Sequence, residues 1–144
     1  AWTRPAPSKT APLARTHHAC CLIDDTEIIL HGGWTGFKLL NCTWRFDCVS
    51  ESWKRLETDG QIPPGRFGHT LTWSPACQAL VMIGGLDNRG IALTDTVYIL
   101  QHKTWNWKLV RAAGKVPAEL LQRGMHTACV WDRFLVVFGG TRQV

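Results

Sequence analysis

One short phrase occurs three times in this chain and sets what it can fold into. The segments "RTHHA" (15–19), "RFGHT" (66–70) and "RGMHT" (123–127) each place a histidine three residues after an arginine. Each is followed by an apolar run that ends in Gly-Gly, at 32–33, 84–85 and 139–140. A tryptophan recurs in step, at Trp2, Trp53 and Trp107. Self-similarity with a period of about 50 residues marks a repeat architecture, in which each unit buries its apolar face only against its neighbours.

Every unit reads as strands. "EIILHGG" (27–33), "ALVMIGG" (79–85) and "FLVVFGG" (134–140) are short runs of β-branched, aliphatic and aromatic residues closed by glycine. They are apolar without alternation, the pattern of a strand buried on both faces. Before them stand "HHACCLI" (17–23), "GHTLTW" (68–73) and "MHTACVW" (125–131), joined to them by the turns 24–26, 74–78 and 132–133. A third strand follows at "CTWRFD" (42–47) and "DTVYIL" (95–100), and a fourth, more polar one carries the tryptophan at "SWKRL" (52–56) and "NWKLV" (106–110). The segment "AELLQR" (118–123) reads as loop or a single helical turn.

Four strands per unit, with Gly-Gly ending the second and Trp on the fourth, resemble a kelch-repeat blade. The leading phrase "GQIPPGRFGHT" (60–70) resembles the long-repeat, galactose-oxidase-like kelch form. The resemblance implies an all-β, kelch-type β-propeller with a blade tail at 1–4, blades at 15–56 and 66–110, and half a blade at 123–144. A closed propeller has about four to eight blades. The expectation is therefore a portion of a longer polypeptide, with the ring completed by missing blades or by another chain.

Residues that recur once per unit are read first as architecture. The glycine pairs serve the turn out of the second strand, and the tryptophans fill the gap between neighbouring blades. His18, His69 and His126 are expected to hydrogen-bond within their own blades. Each stands without a second ligand at close spacing, so no metal and no cofactor is expected. The six cysteines form no CxxC pair and are expected to be reduced thiols, with Cys20, Cys21 and Cys129 behaving as small buried hydrophobes. Asn41-Cys42-Thr43 fits the N-glycosylation pattern, a three-residue match that arises readily by chance. The compartment expected is cytoplasmic or nuclear in preference to extracellular.

No catalytic residue is assigned. The chain has no nucleophile elbow, phosphate-binding loop, zinc-protease motif or dinucleotide fingerprint. Some kelch-like propellers are copper-radical oxidases, which the resemblance says need tyrosine ligands and a Cys–Tyr crosslink; here Tyr98 is the one tyrosine. No apolar run approaches the ~20 residues of a membrane helix, and no nucleic-acid module or dense basic stripe is present.

Charge gives the functional clue. If strands alternate up and down, the loops after the second and fourth strands share one end of the blades and carry +5, while the loops at the other end carry −4. The basic end also carries "WTGFKLL" (34–40) and "LDNRGIAL" (86–93). The function expected is a protein–protein interaction scaffold presenting this face to a partner, with an acidic peptide or loop as the favoured ligand. Its contacts are Trp34, Phe37, Lys38, Asp87, Asn88 and Arg89, joined by Arg15, Arg66 and Arg123 as bidentate donors to acidic side chains. The alternatives are a structural subunit of a large cytoskeletal or organellar assembly, or the propeller part of a larger enzyme such as an oxidase or phosphatase fusion.

Overall fold

A computed structural model describes residues 10–94, 97–111 and 121–144. The blade tail at 1–4, with Trp2, and the first half of the 118–123 segment (118–120) lie outside the described residues. Among the described residues eleven strands form three sheets. The first blade is β1 (Ala19–Ile23), β2 (Glu27–His31), β3 (Thr43–Asp47) and β4 (Ser52–Leu56), a four-stranded antiparallel meander. The second is built likewise from β6 (Thr70–Ser74), β7 (Ala79–Ile83), β8 (Val97–Gln101) and β9 (Asn106–Leu109). The half blade is the hairpin β10 (Gly124–Trp131) and β11 (Phe134–Thr141). The all-β, partial-propeller reading is thus what the chain adopts.

One strand was not visible in the sequence. Residues 57–66 read as a loop, yet β5 (Asp59–Gly60) runs parallel to β9 and makes the second blade five-stranded. Side chains hold it there: Asn106 Nδ2 donates to Asp59 Oδ1 (2.7 Å), and Leu109 N–H donates to Gln61 Oε1 (3.0 Å). Two residues are too short to carry a strand period, so the pattern offered nothing to read.

Register decides which side chains meet the next blade. Rows such as Ala19–His31–Thr43–Leu56 put one face of the first blade against the second. The second blade answers with the row Leu71–Met82–Tyr98–Leu109 and with Leu80, Leu100 and Trp107. The buried core is the gap between them: Ala19, Ile23, Ile29 and Leu56 on one side, Leu71, Leu80, Met82, Tyr98, Leu100 and Trp107 on the other. Trp107 is fully buried, and its indole meets the His31 ring of the first blade edge-on at 5.1 Å. Trp107 therefore fills the inter-blade gap, as its recurrence implied.

The half blade departs from the pattern. β7 is nearly all buried, whereas β11 alternates, and Trp131, Phe134, Val136 and Phe138 are exposed on the side away from the second blade. Cysteine placement departs as well. All six are free thiols, but Cys20 and Cys129 are exposed, because each projects from the outward face of an end blade.

The glycine pairs of the two full blades sit where an added Cβ would meet the neighbouring phrase. Gly32 has φ +66°, and a Cβ there would lie 2.6 Å from His69 Cε1 and 2.9 Å from the Arg66 carbonyl oxygen. Gly36 has φ +96° with nothing within 4 Å. Gly32→Ala should therefore cost about 2–4 kcal/mol, left-handed strain plus overpacking, and Gly36→Ala about 1–2 kcal/mol, strain alone. Urea unfolding of the two variants checks this; equal losses would mean that the close approach at Gly32 is relieved without cost.

Candidate functional site

The repeated Arg-x-x-His phrase builds the seam between blades. Each arginine donates through Nη1 to the carbonyl of the first glycine of its own blade: Arg15 to Gly32 (3.0 Å), Arg66 to Gly84 (2.9 Å) and Arg123 to Gly139 (2.6 Å). The backbone of the same phrase then ties blade to blade. Gly33 N–H donates to the Arg66 carbonyl and Gly85 N–H to the Arg123 carbonyl, both at 2.9 Å. One residue before each histidine the chain turns left-handed, at His17, Gly68 and Met125. There Gly68 N–H donates to the His17 carbonyl (2.9 Å), and Met125 N–H donates to the Gly68 carbonyl (2.7 Å).

This corrects two expectations. Arg66 is fully buried, its guanidinium engaged on Gly84 and set 5.1 Å over the Tyr98 ring. It has no surface to offer an acidic partner, so it leaves the set of contact residues. Arg15 and Arg123 make the same inward bond but keep partial exposure. The +5 counted for this end of the blades thus includes three charges turned onto glycine carbonyls. Two of the three histidines, His69 and His126, work between blades and not within them, while His18 is exposed. His69 meets His31 of the first blade (Nε2 to Nδ1, 3.2 Å), and His126 Nε2 lies 2.9 Å from Thr70 Oγ1 of the second. Repetition showed that these residues share a job but not which neighbour they serve.

Burial governs the titration of these imidazoles. Desolvation, reinforced by the Arg66 guanidinium, pushes His31 down to about 3. Desolvation and then His31 hold His69 well below its ordinary value. Desolvation and Arg123 bring His126 to about 4. All three are neutral at pH 7 and act as packing and hydrogen-bonding groups. Among the described residues no group of three or more His, Cys, Asp or Glu is placed to hold a metal ion.

The two loops singled out by sequence rise from this seam. In 34–40, Trp34 bridges Thr16 and Leu39, and Thr35 Oγ1 accepts from the N–H groups of Phe37 (3.4 Å) and Lys38 (3.0 Å). This places Phe37 at the tip with 96% of its surface exposed, beside an exposed Lys38, while Trp34 is half-buried. In 86–93, Asp87 Oδ1 accepts from Arg89 N–H and Ile91 N–H, both at 2.9 Å, and Oδ2 pairs with the Arg89 guanidinium at 2.9 Å. Those backbone bonds, with Ile91 foremost, hold the Asp87 carboxyl below its ordinary value. Asp87 is therefore the cap of the loop, Asn88 and Arg89 are its exposed tip, and the charge of Arg89 is half answered within the loop. Between the two loops runs a continuous path, from Leu40, whose carbonyl accepts from Arg66 N–H, through Phe67, which bridges Leu86.

Comparison with known proteins places this arrangement. The description of the KLHDC2/KLHL20/DRC7 Kelch-repeats domain matches residues 36–144. An F-box/kelch-repeat protein of Arabidopsis thaliana is 30% identical over 92% of this chain and 29% of its own length. Acyl-CoA-binding domain-containing protein 4 of the same plant is 35% identical over 66% of this chain and 14% of its own, and the human multiple epidermal growth factor-like domains protein 8 is 28% identical over 94% and 5%. The chain spans less than a third of the length of these relatives.

Two outcomes follow for the seam. Arg66→Ala leaves a buried glycine carbonyl without its charged donor and opens a void, so it should cost about 3 kcal/mol, against about 1 kcal/mol for the more exposed Arg123→Ala; urea unfolding measures both. The histidines give the second. Their folded pKa values lie below the unfolded value, so the unfolded chain binds more protons as the pH falls. Their contribution is complete above pH 6.5 and is lost below it, each approaching about 1.4 kcal/mol per pH unit toward pH 5. A urea midpoint that stays flat from pH 7 to pH 5 would mean that the imidazoles accept protons inside the folded blades.

Proposed function

The chain belongs to the kelch-repeat family, and on that premise we propose that it grips a partner protein with the loop end of its blades, through 34–40 and 86–93. Kelch-repeat domains are in general protein-interaction modules and typically not enzymes. The observation that carries the proposal is Phe37. A fully exposed aromatic ring on a loop already stiffened by its own threonine cap is costly to leave in water and cheap in entropy to bind through. Lys38 beside it, and Arg89 on the neighbouring loop, favour an acidic peptide or loop as the ligand. Trp34 and Asp87 shape the two loops; Asn88 and Arg15 stand at their margins as polar contacts. Further blades, of this polypeptide or another, would cover Trp131, Phe134 and Phe138 on the half blade.

Peptides selected from a random library against the chain provide the test. Phe37→Ala should weaken them about tenfold or more, and Lys38→Glu should weaken the acidic ones by a similar factor. Arg89→Glu should have a smaller effect, since Asp87 already answers part of its charge. Glu51→Lys, in a turn at the opposite end of the blades, should have none. Affinities unchanged by Phe37→Ala and Lys38→Glu would remove this end from the role.

A further inference from the structure

At the loop end each full blade carries a small ladder of its own. In the first blade Thr16 and Trp34 exchange both backbone bonds at 2.9 Å, and Trp34 bridges Leu39 in antiparallel pairing. The second blade repeats this with Phe67, Leu86 and Ala92. The outer pair is held by its neighbours. Thr35 N–H donates to the Lys38 carbonyl (3.1 Å) and Leu40 N–H to the Gly33 carbonyl (2.9 Å), as Asp87 donates to Ile91 (2.9 Å) and Leu93 to Gly85 (3.0 Å). Leu39 and Ala92 thus occupy non-hydrogen-bonded positions, so their own N–H groups point away from the ladder, toward a fourth place beside it.

In the second blade that place is filled. Segment 142–144 of the half blade lies antiparallel to 90–92: Ala92 N–H donates to the Arg142 carbonyl (2.8 Å), Val144 N–H donates to the Gly90 carbonyl (3.1 Å), and Ile91 faces Gln143. In the first blade it is open. Counted back from Leu40 as from Leu93, residues 37–39 correspond to 90–92, and neither the Leu39 N–H nor the Phe37 carbonyl has a hydrogen-bond partner among the described residues. The second-blade counterpart of 142–144 is 87–89, which is curled onto the Asp87 carboxylate instead. By the same correspondence the open edge faces the second blade. Gly65, in the chain that enters that blade, bounds the place beyond Leu39, since an added Cβ there would lie 3.0 Å from Leu39 Cβ.

We propose that an extended, proline-free segment of the partner protein adds here as the fourth strand, antiparallel to 37–39, an inference that rests on reading this end of the blades as partner-facing. Strand addition takes its affinity from main-chain hydrogen bonds at an unpaired edge. The added strand would give Leu39 N–H an acceptor and the Phe37 carbonyl a donor, as 142–144 do for Ala92 and Gly90. Thr35 already holds the Lys38 N–H inside the loop, so the edge is set before the partner arrives and little ordering is left to do. The exposed Phe37 ring at the head of the edge can then cover a side chain of the added strand.

Amide hydrogen exchange, read residue by residue, tests this. In the free chain the Leu39 N–H should exchange about tenfold faster than the Ala92 N–H or more; equal protection would mean that the edge is already closed and would overturn the proposal. The probe is then the tightest peptide selected from the random library. At saturation the Leu39 N–H should slow about tenfold or more, while Ala92, already bonded to Arg142, and Lys38, already held by Thr35, stay unchanged. Methylating the peptide's backbone nitrogens one at a time should give an alternating profile, with a loss of about tenfold at the residue that donates to the Phe37 carbonyl and little at the residues on either side of it. A tight peptide that leaves Leu39 unprotected, or a methylation profile without alternation, overturns strand addition and leaves the loop end standing as a binding face. The test of that face, weakening by Phe37→Ala and Lys38→Glu, reads side chains that neither of these measurements follows, so the two readings fail separately.

Discussion

The hydrogen bond from each arginine to the first glycine of its own blade is the contact on which the rest of the structure depends. Two consecutive glycines at positive φ follow the second strand of each full blade and interrupt its ladder, while in the half blade Gly139 and Gly140 lie just inside the end of β11. The carbonyl and N–H released there are close to the core and need partners. The arginine supplies a charged donor to the carbonyl from within the blade. The next blade's arginine supplies its own carbonyl to the following N–H. One residue thus satisfies the turn behind it and the turn beside it, so blade closure and blade spacing are fixed together.

That dual use explains what could be read from sequence and what could not. The period, the glycine pairs and the strands were legible because they recur in register; most strand ends agree with the sequence reading to within two residues. The direction of a side chain was not. Arginine at a loop next to a strand has the sequence signature of a surface contact, and Arg66 is instead buried, because neighbouring backbone consumes its donors. His69 and His126 look alike in sequence, yet one finds a histidine and the other a threonine on the preceding blade. Such partners lie tens of residues away, where no local pattern reaches. The β5 strand was missed for a related reason, since it is held by backbone bonds to Trp105 and Trp107 and by the side chains of Asn106 and Gln61, and not by any apolar pattern of its own.

Burial follows from neighbours as much as from the strand itself. "ALVMIGG" and "FLVVFGG" are the same sentence in sequence, but β7 is flanked on both faces and β11 on one. The exposed cysteines tell the same story: Cys20 and Cys129 are small apolar residues on faces that meet no blade within the described residues. Apolar composition in a repeat protein therefore states which faces can be covered. Only the arrangement of blades states which ones are.

The loops show how a rigid seam and a variable surface coexist. Thr35 and Asp87 occupy matching places, one residue beyond Trp34 and Leu86, which bridge back to the same seam. Each uses a side-chain oxygen to accept from two backbone N–H groups of its own loop. The cap replaces the hydrogen bonds that the tip backbone would otherwise need from its neighbours. Side chains at the tip are then released from holding the turn, Phe37 and Lys38 on one loop and Asn88 on the next, while Arg89 stays paired with Asp87. A change there alters what is presented without disturbing the turn that presents it. This separation, with satisfaction of the backbone at the base and chemistry at the tip, is what lets one blade plan carry an aromatic, basic tip beside a polar, self-paired one.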